Sequence, residues 1–226
     1  MRPIMRKTIL AMLAAVSLTT PALADSKITK GFYTMDAMGC MLLRECTEGV
    51  VEIKTAKDVG KYYKKMGMMD PVYTEFNEMM AALDKIGVKV FIAPEKYFPP
   101  GHRGVYHTVS NNFFLNATLV KRYSTLMSVM RHEGWHAAQD CMAGSIKNNL
   151  IAIIHNEEDV PSLWREIAEK TYPASAVPWE AEAIWAGKTE KMTMKALKAC
   201  AAGEMWKVYE PTPLTKKWLE NEGFIQ

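Results

Sequence analysis

Arg131-His132-Glu133-Gly134-Trp135-His136-Ala137-Ala138-Gln139-Asp140 is the stretch from which the rest of this chain can be read. It contains H-E-x-x-H, with two histidines four residues apart. On a helix that step is about 40° past a full turn, so both imidazoles leave one face, stacked a turn apart. Neutral imidazoles so placed can grip one Zn²⁺, and Glu133 beside the first can reach a water on the metal. The motif requires a helix, and the flanking residues predict one. No proline interrupts 117–141, and Leu119, Tyr123, Leu126, Met127, Met130, Gly134, Ala137, Ala138 and Cys141 recur at three- and four-residue steps. Asn116 is placed to cap the start and Gly144 to stop the end. His132 and His136 lie off this apolar stripe, on a face shared with Thr125 and Val129. Gly134 falls on the stripe, where a missing side chain lets another backbone approach.

Outward from the motif, the order of elements predicts an α+β chain that is mostly helical. Val50–Ile53 and Val88–Ala93 read as strands, and Val105–Leu115 as a strand region leading into the motif helix. Helices are expected over Ala56–Met66, Tyr73–Ile86, Pro161–Tyr172, Pro178–Gly187, Met192–Ala202 and Thr215–Glu222. Residues 25–50 look irregular, and Leu150–Ile154 is apolar but short. The expected architecture is a small sheet packed on the motif helix, with a helical C-terminal half. Met66, Met68 and Met69 could bind soft Cu(I), but methionines more often fill gaps in a core.

Residues 1–24 read as a cleaved signal peptide. Arg2, Arg6 and Lys7 form a basic start, Thr8–Leu18 an apolar run, and Ala22-Leu23-Ala24 a small-x-small cleavage site. The run is too short to span a bilayer, and no other segment is long enough. The formal charge of +3 falls to zero when those three basic residues leave, since the segment holds no acid. A neutral mature chain, 25–226, offers no case for nucleic acid or for an anionic membrane surface. It has the length of a single domain, and no linker divides it. A periplasmic or secreted location follows, without stable membrane insertion. Four cysteines in an exported chain suggest two disulfides, with Cys40–Cys46 and Cys141–Cys200 the expected pairs.

Catalytic zinc takes three protein ligands and leaves a fourth position to water. The pattern with a third histidine at H-E-x-x-H-x-x-G-x-x-H is excluded, because Gln139 and Met142 hold its glycine and histidine positions. A glutamate from a later helix is the other common solution. Pro178-Trp179-Glu180-Ala181-Glu182-Ala183-Ile184 offers Glu180 and Glu182. Residues two apart on a helix point about 200° apart, so only one of them can face a metal. The other then caps the helix or faces solvent, since first-turn carboxylates also complement the helix dipole.

These residues resemble the gluzincin type of zinc metallopeptidase, and the E-x-E-A string is similar to the glutamate helix of the Ste24-like and ImmA/IrrE-like families. The resemblance covers about twenty residues. It implies a zincin-like domain and zinc held by His132, His136 and Glu180, with Ala183 three residues on, as in those families. It also implies an edge strand ahead of the motif helix that binds extended substrate, and Val105–Leu115 stands there. Ile184 departs from the pattern, which often has Asp or Asn at that place. The implied activity is peptide-bond hydrolysis of a peptide or protein substrate, with zinc activating water and Glu133 as general base. An oxyanion donor is also expected, for which Tyr172, His155, Tyr209 and His107 are the candidates. The rival reading is a zinc-binding or inhibitory module on the same scaffold without turnover.

Overall fold

The computed structural model describes residues 37–64, 72–147 and 149–226. The expected signal peptide and the three methionines of 66–69 lie outside them. In chain order the described elements are α1 (Ala37–Leu42), β1 (Val51–Ile53), α2 (Ala56–Tyr63), α3 (Val72–Lys85), β2 (Lys89–Ala93), β3 (Gly104–His107) and β4 (Asn112–Asn116). There follow α4 (Tyr123–Met142), α5 (Ser162–Thr171), α6 (Val177–Lys188), α7 (Met192–Ala202), α8 (Met205–Val208) and α9 (Pro213–Asn221). The α+β class and the helical second half are as the residue patterns predict.

The sheet has the order β1-β2-β4-β3, with β2 and β4 parallel and both outer pairs antiparallel. Its central strands alternate between two apolar layers, as a period of two requires. Val90, Ile92, Phe113 and Leu115 face the main core with Phe76, Leu83, Met130 and Trp135. Phe91, Ala93 and Phe114 face the other way, onto Met41, Leu42, Tyr97 and Phe98. Residues 25–50, read as irregular, therefore include a short helix, α1, that covers the outer face of the sheet. Six residues are too few to display a helical period, and burial of Met41 and Leu42 stabilises it instead. The Cys40–Cys46 disulfide closes the loop behind it.

The strand region 105–115 is a hairpin, β3 and β4, turning where Asn111 has a φ of 52°. Ser110-Asn111-Asn112 marks that turn in the sequence, since asparagine tolerates the left-handed conformation, although the region reads as one strand from its apolar residues. β3 is the outermost strand on that side among the described residues. Asn116 does not cap α4. It closes β4, and its side chain accepts from Thr118 N at 3.0 Å, so the helix starts seven residues later at Tyr123. Ala117 is still held by the sheet through its N–H to Ala93 O.

α4 is enclosed rather than two-sided. Arg131, Glu133, Gln139 and Asp140 are buried along with its apolar residues, so each needs a partner inside the protein. α3, α6 and α7 pack around it. At Gly134 the close neighbours are side chains and not a backbone: an added Cβ would meet Thr193 Cγ2 at 3.0 Å and Met79 Cε at 3.2 Å. The backbone approach occurs at Gly187, whose added Cβ would stand 3.0 Å from Ser128 O and 3.3 Å from His132 Cβ. With Ala183 and Ala186 fully buried nearby, α6 can lie close along α4. Cys141–Cys200 then ties the end of α4 to α7. No helix among the described residues is long and apolar enough to cross a membrane.

Candidate metal centre

α4 and α6 run antiparallel, with Gly187 against Ser128 and Glu180 near His136, so the start of α6 lies beside the second turn of the H-E-x-x-H motif. This brings His132, His136 and Glu180 together, with one ligand-type atom of each within 4.8 Å of the others. Glu180 Oε2 is 3.3 Å from His132 Nε2, and Glu180 Oε1 is 3.7 Å from His136 Nε2. The two rings stand edge to face, with centroids 5.0 Å apart. Their side chains keep 18% and 11% exposure and that of Glu180 keeps 19%, so the cluster is recessed yet reachable.

The donor set fits a divalent ion. Glu180 Oε2 is a buried oxygen with no hydrogen bond among the described residues. Two imidazoles and a carboxylate are a common zinc donor set. The electrostatics also call for a positive charge. Burial pushes the Glu180 carboxyl up, yet the two imidazoles hold it well below the usual carboxylate range. Burial pulls His136 down, but the Glu180 carboxylate, joined by Glu133 and Gln139, lifts it to about 9. Protons or a metal ion can supply the charge this cluster demands. The three residues could therefore hold a metal ion.

Glu182 neither caps the helix nor faces solvent. It is 1% exposed and turns to other residues of α4 and to the 154–155 segment, behind the ligand cluster. There it accepts from Trp135 Nε1 at 3.1 Å, Gln139 Nε2 at 2.7 Å, and the N–H groups of Ile154 and His155. Removing it would leave several buried donors unmatched, so the small cost of losing a first-turn carboxylate does not apply. The position that the resemblance makes polar, Ile184, packs against the buried cluster of Val160, Ala168 and Ala181 instead.

Glu133 is held from the sheet. Its Oε2 accepts from Tyr106 N at 2.9 Å, across the outer side of β3. Such proximity needs Gly104, whose added Cβ would lie 2.7 Å from Val129 Cγ1 and 3.0 Å from Glu133 Cγ. Tyr106 is also fixed at its other end, where Oη donates to Asp140 Oδ2 at 2.9 Å. A cleft of about 640 Å³ opens over this region, lined among others by Gly104, Val129, His132, Glu133, Tyr172 and Ile184.

Of the four candidate oxyanion donors, Tyr172 alone lines the cleft. Burial, and then the charges of Glu180 and Glu133, raise its phenol well above the ordinary tyrosine value, so it keeps its proton. His155 stacks on Trp135 with Tyr209 edge-on to both. His107 lies in the hairpin, with Nδ1 2.7 Å from Ser110 Oγ. Gln139 is the residue that sequence reasoning passed over. A buried glutamine three residues after the second histidine shares its helix face, and that spacing was the available signal. No protein-family model matches the chain, and neither a curated protein nor a solved structure matches it.

Proposed function

We propose that the mature chain is an exported zinc-dependent endopeptidase of the zincin type. The observation that carries the reading is the tether between Glu133 and Tyr106 N, which sets a carboxylate beside a three-residue donor cluster whose His132, with Glu133, lines an open cleft. His132, His136 and Glu180 are the residues that would hold zinc, and Glu182 is not among them. A zinc ion held there would supply the Lewis acidity that lowers the pKa of water and polarises a scissile carbonyl. Glu133 takes the proton from the attacking water and delivers it to the leaving amine. Tyr172, protonated throughout the neutral range, offers its hydroxyl to the developing oxyanion. Beyond the Tyr106 N–H already held by Glu133, the outer side of β3 gives an extended peptide backbone groups to pair with, which favours unfolded substrate segments over folded surfaces. Export agrees with the signal-like start of the sequence and with the two disulfides.

The test is hydrolysis of an unstructured protein by the zinc-loaded enzyme. Cleavage should stop with a chelator and return when zinc is restored. Cleavage indifferent to the chelator, or none across a broad peptide library with zinc bound, would overturn the reading.

The same geometry predicts the effect of Gly104→Ala. The new methyl group would meet Val129 Cγ1 and then Glu133 Cγ, and must push β3 or these side chains by several tenths of an ångström. Since misplacement by about 1 Å can cost on the order of 10²-fold in rate, kcat/KM should fall by up to that factor. Zinc stoichiometry measured on the same sample should not change.

A further inference from the structure

Glu182 is a buried carboxylate that the proposed chemistry does not use. Its partners are N–H donors: the Trp135 indole, the Gln139 amide, and the backbone of Ile154 and His155. An acceptor surrounded by donors dictates the orientation of whichever donor can rotate. The indole and the backbone amides cannot present anything else; Gln139 can.

Gln139 is fully buried. Its NH₂ group places one N–H on Glu182 Oε2 at 2.7 Å and the other on Trp179 O at 3.1 Å. Trp179 O is a carbonyl and both Glu182 oxygens are already faced by N–H donors, so neither partner donates in return. Turning the amide over would set its oxygen against a carboxylate and a carbonyl, so the orientation is locked. Gln139 Oε1 must then face His136 Nδ1, 2.8 Å away. An amide oxygen only accepts, and Nδ1 must therefore carry hydrogen. In a neutral ring the bare nitrogen is then Nε2, the atom turned toward Glu180 and His132.

We infer that Glu182 and Gln139 form a relay that fixes the His136 tautomer, so that Nε2 is presented as the metal donor and Glu182 serves as a positioning residue two places from the proposed ligand Glu180. The relay rests on the zinc reading of the site. It explains why α6 sets two glutamates against α4: one turns to the metal centre, and the other reaches the back of the same imidazole through a glutamine. The Glu182 acceptor behind Gln139 also polarises its amide, which strengthens the Nδ1–H bond and makes Nε2 the better donor.

The test uses the intact mature chain and reads zinc affinity by competition with a chelator, with thermal melting as the control for folding. In Gln139→Met, which keeps the volume and removes the acceptor, zinc affinity should fall about 10–100-fold. Glu182→Gln, which sets an NH₂ group against N–H donors and lets Gln139 turn, should lose affinity on the same order. Gln139→Glu should stay within about tenfold of wild type, because a protonated carboxyl in that place can donate to Glu182 and still accept from His136. A merely structural role would lower the melting temperature of the first two variants and leave zinc affinity intact in the folded protein. Nitrogen-15 spectra of the zinc-loaded wild type give the direct signature: a proton on Nδ1 of His136, with Nε2 bound to zinc. Zinc on Nδ1, or full affinity in Gln139→Met beside a tight-binding wild type, overturns the relay and leaves the metal centre standing. A wild type that binds no zinc overturns both.

Discussion

Glu133→Gln should retain zinc and the wild-type fold while kcat/KM falls by about 10²–10⁴-fold, the range for losing a positioned general base. Glutamine keeps the volume of the side chain, and its carbonyl oxygen can still accept from Tyr106 N, so the edge of the sheet stays in place. It lacks the basic lone pair that takes a proton from water. Alanine would be a poorer probe, because it also frees a backbone N–H and opens space beneath β3. Steady-state hydrolysis of an unstructured protein, with zinc content measured on the same samples, decides the matter. Equal rates for wild type and Glu133→Gln would remove this site from the chemistry altogether.

The largest effect on stability should come from Glu75→Ala. Glu75 and Arg131 form a buried two-point pair, with Nε to Oε1 at 2.8 Å and Nη2 to Oε2 at 2.6 Å. Glu75 Oε1 also accepts from Lys191 N, and the carbonyl of Arg131 accepts from Thr193 Oγ1. One cluster thus joins α3, α4 and the start of α7 immediately before His132. Removing the carboxylate strands a guanidinium where almost no water reaches, and the cost should be about 3–5 kcal/mol. For a chain of this size that corresponds to a melting temperature lowered by roughly 6–20 °C, which calorimetry would record.

The pH dependence of that cost has a definite sign. Burial raises the Glu75 carboxyl, but the Arg131 hydrogen bonds and charge, with the Lys191 N–H, bring it below its ordinary value of 4.5. A carboxyl depressed in the folded state contributes fully above its unfolded value and loses that contribution as pH falls through the folded one. The gap between wild type and Glu75→Ala should therefore be complete at neutral pH and shrink below about pH 4.5.

The sequence made the elements legible wherever a period ran long enough. α3, α6 and α7 lie within a residue or two of their expected ends, β2 within one, and both expected cysteine pairs are formed. What it concealed depended on neighbours remote in the chain. Nothing local distinguishes Glu182 from Glu180 except a rotation of about 200°, and which side is buried depends on how α6 packs along α4. Gln139 and Asp140 look like surface residues in sequence. Their partners, Glu182 and Tyr106, come from other elements and convert them into buried, satisfied groups. α1 escaped reading because six helical residues carry no readable period, whereas the 105–115 turn does carry a signal, Ser110-Asn111-Asn112, that a single-strand reading passes over.

The central claim is that His132, His136 and Glu180 together hold one zinc ion, and metal analysis of the purified mature protein tests it most directly. About one equivalent of zinc per chain is expected, retained on dialysis, with content and affinity falling steeply in His136→Ala and in Glu180→Ala. Less than about a tenth of an equivalent after loading, or the same content in Glu180→Ala as in wild type, would contradict the account.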